Sequence, residues 1–130
     1  MRSTRKINNI KLVNEKRDSR LKLTKQHILS NSLSGILNNQ KWQKLFEWLD
    51  ERRTVFKVTF LLSKVEMSCD WIREIEKTSI LLDDSGNFVE FYEINSVKTI
   101  TSAQLIKFLE LNSLDFSETD REIEIYGYRK

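Results

Sequence analysis

Residues 40–62 read QKWQKLFEWLDERRTVFKVTFLL, and this stretch changes its hydrophobic period from that of a helix to that of a strand. In the first half, apolar residues stand at i, i+3, i+4 and i+7, which is the spacing of one apolar helix face. They are Trp42, Leu45, Phe46 and Leu49. In the second half, every second residue from Phe56 to Leu62 is apolar, as in a half-buried strand. The pattern predicts a helix over residues 40–52, capped by Asn38 or Asn39, that packs on a sheet.

The rest of the chain predicts further short elements on both sides of this stretch. They are an amphipathic helix that begins at Thr24, a strand over residues 78–82, a hairpin turn over 84–87, a return strand over 88–94, a helix over 102–111 and a final strand over 122–128. Thr101 and Gln104 have the spacing of a capping box at the start of the last helix. Residues 63–77 predict a loop or a short helix, because Trp71, Ile72 and Ile75 are spaced for a helical turn.

This order of elements predicts an α+β fold. We expect one small, mostly antiparallel sheet of about four strands packed against two or three helices, with a basic N-terminal extension. A chain of 130 residues with 39% hydrophobic content is long enough for one ordinary core. We therefore predict a basic, flexible arm over residues 1–23 and a single domain over 24–130.

The sequence predicts a cytoplasmic protein. No apolar run approaches the twenty or so residues that cross a bilayer, and no apolar segment of the secretory type follows the basic start of the chain. We therefore expect no membrane association. A single cysteine, Cys69, fits a reducing compartment, and free Cys is usually a small buried hydrophobe.

Charge is unevenly distributed along the chain. Residues 1–26 hold nine Lys and Arg against two acidic residues, a net charge of +7, whereas residues 27–130 hold 13 against 17, a net charge of −4. The basic arm is the best candidate for contact with nucleic acid, through Arg2, Arg5, Lys6, Lys11, Arg17 and Arg20. Because the arm has no aromatic residue to stack on a base, such binding would be non-specific, and a solvated tail is the favoured interpretation.

Motifs for catalysis are few. His27 is the only histidine, and three widely separated glycines cannot form a phosphate-binding loop. Asp83, Asp84, Glu90 and Glu93 lie along the predicted hairpin, where carboxylates could bind a divalent cation, but turn chemistry explains the two Asp residues, and the two Glu residues fall on opposite strand faces. We predict no catalytic residue, no metal site and no cofactor.

Trp48 falls outside the apolar face of its helix and is followed closely by Asp50 and Glu51. An exposed Trp beside acidic residues has the composition of an interface anchor. The alternative is that the N-terminal helix covers it.

Three short motifs resemble a family of small bacterial proteins catalogued only as a domain of unknown function, number 6678. They are Asn38-Asn39-Gln40-Lys41-Trp42 followed by Leu45-Phe46, then Asp70-Trp71, and finally Ile123 to Tyr128. The resemblance covers about residues 36–128 and implies no established activity. The segment from Leu82 to Leu109 is similar, more weakly, to bacterial immunity proteins that have an Asp-x-x-Gly-Asn turn followed by a helix.

The sequence favours a non-enzymatic binding protein, most concretely an immunity protein that occludes a bacterial toxin. The acidic domain would steer towards a protein partner such as a cationic toxin domain. The predicted partner-binding residues are Trp48, Asp50, Glu51, Asp83, Asp84 and Glu90. The alternative is a nucleic-acid-associated protein that uses the basic arm.

Overall fold

The computed structural model describes residues 19–31, 33–35, 37–82 and 87–129. Within this part, helix α1 covers residues 19–30, and it is followed by α2 (Asn39–Glu51) and α3 (Ala103–Leu111). The strands are β1 (Ser34–Gly35), β2 (Phe56–Phe60), β3 (Glu66–Cys69), β4 (Ile72–Ile75), β5 (Ser79–Leu82), β6 (Asn87–Glu90), β7 (Ile94–Ile100), β8 (Phe116–Glu118), β9 (Glu122–Tyr126) and β10 (Tyr128–Arg129). A 3₁₀ turn, Phe91–Glu93, joins β6 to β7.

The strands of the described chain form three sheets. The largest has five strands in the order β3-β2-β7-β9-β8, and the others are the three-stranded β4-β5-β6 and the two-stranded β1-β10. Every strand pair is antiparallel. The expected α+β class with a mostly antiparallel sheet is therefore confirmed, whereas the expectation of one sheet with about four strands was wrong.

The apolar face of α2 packs on the five-stranded sheet through a group of aromatic rings. The four residues that define this face in the sequence are all buried. The ring of Phe46 lies 5.7 Å from that of Trp42, 5.5 Å from Phe56 on β2 and 5.6 Å from Phe91 in the 3₁₀ turn. Burying each of these side chains contributes roughly 1.5–3 kcal/mol, so this contact places α2 on the sheet.

Residues 63–77 contain two strands, β3 and β4, where the sequence predicts a loop or a short helix. Ile72 and Ile75 lie on the same face, as expected, but this face belongs to a strand and not to a helix. They pair with Leu82 and Ile80 in an irregular antiparallel ladder. A shift of register between Ile72 and Glu74 produces this three-residue spacing in a strand.

The expected return strand over residues 88–94 was also too long. β6 ends at Glu90, and after the 3₁₀ turn the chain continues as β7, the central strand of the five-stranded sheet. β7 was not predicted, because its inward residues include the polar Thr99, whose Oγ1 donates to the carbonyl of Val55 at 2.9 Å. The hairpin itself is confirmed by the antiparallel pairing of β5 with β6, while its turn at residues 84–87 lies mostly outside the described residues.

The N-terminal helix begins earlier than expected. Residues 19–23 are already helical, so the predicted boundary between arm and domain at residue 23 falls inside α1. Residues 1–18, which hold most of the predicted arm, lie outside the described residues. Thr24 is buried, and its hydroxyl donates to the carbonyl of Arg20 at 2.8 Å.

The start of α3 is capped by Ser102 rather than by the expected Thr101. The Ser102 hydroxyl accepts from the amide of Leu105 at 3.1 Å, whereas the Thr101 hydroxyl points to the carboxylate of Glu118 at 3.5 Å. The prediction for α2 was correct, because Asn38 accepts from the amide of Lys41 at 2.9 Å.

We expect Ser102→Ala to lower the free energy of unfolding by about 1 kcal/mol, because a helix amide loses its capping partner. Thr101→Ala is the matched control and should cost less, since it removes only a long contact to an exposed carboxylate. Urea denaturation of both variants measures the difference. Equal losses would show that Ser102 does not cap α3.

Gly127 lies where no larger residue fits. A Cβ atom there would stand 2.7 Å from the carbonyl oxygen of Ile94 and 2.8 Å from Cζ2 of Trp42. We expect Gly127→Ala to lower the free energy of unfolding by about 1–3 kcal/mol, because the buried Trp42 ring has little room to move. Gly35→Ala is the control, since its Cβ would meet only Tyr128 at an ordinary 3.7 Å. Similar stabilities for the two variants in urea would contradict this account.

Candidate binding surface

The face of the five-stranded sheet that points away from α2 is lined by polar residues. Lys57, Lys98 and Glu124 stand side by side on adjacent strands, at alternate positions to the buried Val58 and Val97. Because side chains alternate along a strand, every second residue before and after these three also lies on the outer face. Most of its charged groups are paired with one another.

Glu66 on β3 is held by two lysines of this outer face. The Nζ atom of Lys98 lies 3.2 Å from one carboxylate oxygen, and that of Lys57 lies 3.6 Å from the other. The hydrogen bond from Lys98 is the main cause that lowers the pKa of Glu66, with a smaller contribution from Lys57. The same hydrogen bond raises the pKa of Lys98. Both cations are therefore engaged by one carboxylate, which balances the charge of one of them.

A chain of hydroxyl groups crosses the next strands. The Ser96 hydroxyl donates to Glu124 at 2.7 Å, and the Tyr126 hydroxyl donates to the other oxygen of Glu124 at 3.1 Å. Ser117 lies 2.8 Å from the Tyr126 hydroxyl. The guanidinium of Arg129 stacks 4.5 Å from the centre of the Tyr126 ring and pairs with Asp115. This network joins β7, β9 and β8 and leaves few unpaired groups for a ligand.

One end of the outer face differs, because it exposes two apolar residues. Continuing the β2–β7 register by one residue beyond Phe56 and Thr99 brings Val55 beside Ile100. Val55 is 49% exposed and Ile100 is 72% exposed. Ile100 pairs in turn with Glu122 on β9, so an apolar pair lies directly beside a carboxylate.

The adjoining turn between β8 and β9 adds further negative charge. Asp120 is exposed there next to Arg121, whereas Glu118 at the end of β8 pairs with the buried Ile123 and so lies on the opposite face of the sheet. The backbone of this turn is tied to the sheet, since the amide of Thr101 donates to the carbonyl of Arg121 at 3.1 Å. We name this surface the acidic end, consisting of Val55, Ile100, Asp120 and Glu122.

Trp48 lies in the contact between α2 and α3 rather than free on the surface. It is half-buried, its ring lies 5.7 Å from that of Phe108 on α3, and the guanidinium of Arg52 stacks on it at 4.1 Å. The sequence analysis considered only the N-terminal helix as a cover for Trp48, whereas the ring contact that the structure shows is with α3. A role for Trp48 in binding stays a prediction, with its ring already packed on one side.

Asp50 and Glu51 occupy the last turn of α2. Asp50 is half-buried, while Glu51 is exposed and lies 3.6 Å from Arg52. The chain reaches Val55 four residues after Glu51, so the end of α2 leads into the acidic end. The acidic residues at the end of α2 are therefore close in the chain to the acidic end. A role for Asp50 and Glu51 in binding stays a prediction.

Glu90 was wrongly expected to be exposed. It is 1% exposed and pairs with the buried Ser79 across the β5–β6 ladder, immediately before the chain turns inward to Phe91. It lies near the Tyr92 hydroxyl, whose pKa is raised by burial and then by the Glu90 carboxylate. A docked partner could not reach Glu90 without unfolding this region. Asp83 and Asp84 lie outside the described residues.

The basic residues proposed for nucleic-acid contact fall almost entirely outside the described part of the chain. These are Arg2, Arg5, Lys6, Lys11 and Arg17. Arg20 belongs to α1, and its Nε lies 3.5 Å from the carboxylate of Glu93. Nucleic-acid binding through the arm stays a prediction.

His27 and Cys69, the other two residues that the sequence singles out, lie in α1 and β3. His27 faces Asn31 of its own helix, with 3.4 Å between the ring Nδ1 and the amide nitrogen. Cys69 is buried, as predicted. Among the residues described, no group of three or more His, Cys, Asp or Glu side chains could hold a metal ion. None of the described helices is long and apolar enough to span a membrane.

Comparisons with known proteins find no matching family model, no match among curated proteins and no matching solved structure. The resemblances to the domain of unknown function and to immunity proteins therefore stay hypotheses.

We expect Lys98→Met to raise the pKa of Glu66, because it removes the main hydrogen bond to the carboxylate. Lys57→Met should raise it less. In the wild type, the lowered pKa of Glu66 adds stability above the pKa of the unfolded chain, and this stability is lost as the pH falls through the folded value. Carbon-13 NMR titration of the Glu66 carboxyl group measures both variants. A larger shift in Lys57→Met would contradict the assigned hydrogen bond.

Proposed function

We propose that this protein is a non-enzymatic binding protein, and specifically an immunity protein that neutralises a bacterial toxin by occlusion. In this proposal a cationic domain of the toxin docks on the acidic end. The observation that supports it is the exposed apolar pair, Val55 and Ile100, beside the carboxylate of Glu122, with the exposed Asp120 in the adjoining turn. Apolar area with charged surroundings has the composition of a protein interface, with a core and a polar rim.

Charge complementarity favours a basic partner for this surface. Glu122 and the exposed Asp120 give this surface its negative charge, and Arg121 is the only basic residue in the same turn. Elsewhere on the same face Glu66 balances the charge of one of the two lysines that hold it, so only one unit of positive charge remains there. The negative field of the acidic end accelerates the approach of a cationic partner and opposes an anionic one.

The proposal depends on contact and charge, since a protein that blocks a toxin needs no reaction of its own. Lysine or arginine side chains of the toxin can lay their apolar stems on Val55 and Ile100 while their charged ends meet the carboxylates. Burying the exposed parts of two such side chains adds affinity, and the charges add orientation.

Toxicity rescue tests this function. The gene that immediately precedes the gene for this protein in its source genome is expressed in a close bacterial relative, with and without the protein. We expect the neighbouring gene product to arrest growth and the protein to restore it. A harmless neighbour, or a toxic one that the protein does not restrain, would count against the immunity function.

We expect Ile100→Lys to abolish rescue and to weaken binding to the purified toxin domain at least tenfold, because it puts a cation in the centre of the acidic end. Leu111→Lys is the matched control, since Leu111 is 75% exposed against 72% for Ile100 but lies at the far end of α3. Isothermal titration calorimetry gives both affinities. Loss of binding in the control alone, or in neither variant, would place the toxin contact elsewhere.

A further inference from the structure

A pocket of about 340 Å³ lies at the other end of the five-stranded sheet from the acidic end. Its lining comes from four segments of the chain: α1, the end of β2 with the turn after it, β6 and the 3₁₀ turn. The lining residues are Arg20, Phe60, Leu62, Ser63, Phe88 and Glu93. Since Phe60 ends β2 and Val55 precedes its first residue, the length of that strand, about 17 Å, separates the pocket from the acidic end.

The pocket has an apolar wall that is only partly covered. Leu62 is 39% exposed and Phe88 is 45% exposed, and the half-buried Phe60 completes this wall. Exposed apolar residues gathered around one concavity are typical of a ligand site, because a ligand can bury all of them together.

The opposite wall carries an ion pair whose cation is the more accessible member. The side chain of Arg20 is 51% exposed, whereas that of Glu93 is 14% exposed. The contact between them uses the Nε of Arg20, and a guanidinium has five N–H donors in a planar fork.

One exposed cation is adjacent in the chain to the lining residues. Lys64 follows Ser63 in the turn and is exposed, whereas Lys22, two residues after Arg20 on α1, lies on another side of that helix. A ligand that enters from solvent therefore meets accessible positive charge beside an apolar wall.

We propose that the pocket binds a small apolar carboxylic acid, with its carboxylate on Arg20 and its apolar part against Phe60, Leu62 and Phe88. This site is independent of the proposed immunity function. A volume of about 340 Å³ lies near the lower limit for small-molecule pockets, about 300–1,000 Å³, which fits a medium-length alkyl chain or a single aromatic ring. Arginine can share its donors between two carboxylates, so the pair with Glu93 does not have to break.

The test uses sodium octanoate as the probe in NMR titrations of the ¹⁵N-labelled full-length protein. We expect saturable shifts of the amide signals of Leu62, Ser63 and Phe88. Two probes with the same alkyl chain serve as controls, 1-octanol without charge and octylammonium with the opposite charge. Because a charge-assisted hydrogen bond is lost, octanol should bind about tenfold more weakly than octanoate. Equal affinities, stronger binding of octylammonium, or no saturable shift with octanoate would overturn the proposal.

Two pairs of variants separate the apolar wall from the cation. Phe88→Asp should abolish octanoate binding, while Ile100→Asp, an exposed strand residue at the acidic end, should preserve it. Arg20→Gln should weaken octanoate about tenfold and leave octanol unchanged, whereas Arg20→Lys should retain the preference for octanoate. Arg121→Gln controls for general attraction of anions to the protein. If Arg121→Gln weakened octanoate as much as Arg20→Gln, binding would be non-specific and the pocket would be excluded as the site.

Discussion

The contact of Phe46 with three other aromatic rings holds the structure together. Trp42 lies on the same helix, Phe56 begins β2, and Phe91 lies in the 3₁₀ turn between the three-stranded and the five-stranded sheet. The ring pairs contribute about 0.5–1.5 kcal/mol each beyond the burial of their area. Because the cluster fixes α2, β2 and the turn before β7 relative to one another, it also sets the places of both exposed surfaces. Val55 of the acidic end directly precedes Phe56, and Glu93 of the pocket stands two residues after Phe91.

With the inner sheet face filled by this core, the outer face has to satisfy its own polar groups. Glu66 is held by two lysines, and Glu124 accepts from Ser96 and Tyr126. Such pairing gives little net stability at exposed positions, but it removes these groups from competition for a partner. The outer face therefore presents unpaired apolar and charged groups chiefly where the strands end.

The sequence predicts the elements whose apolar residues follow one clear period. α2, β5, α3 and β9 belong to this class, and all were expected close to their observed positions. β3, β4 and β7 were missed because a register shift, a short length or inward polar residues disturb the period. The acidic end could not be predicted, since Val55, Ile100 and Glu122 meet only through the pairing of β2, β7 and β9. For Glu90 the sequence predicted an exposed residue, because charged residues usually lie on the surface, but the structure buries it.

Strand pairing also determines how the charge of the domain is distributed over its surface. A net charge of −4 over residues 27–130 is small, and spread evenly it would steer a partner weakly. The sheet instead places Lys57 and Lys98 against Glu66, so that part of the positive charge in the middle of the outer face is neutralised. Negative charge is left at the β8–β9 turn, and the accessible cations of α1 lie beyond the opposite end of β2. A charged partner therefore meets a directional field, which orients it before contact as well as attracting it.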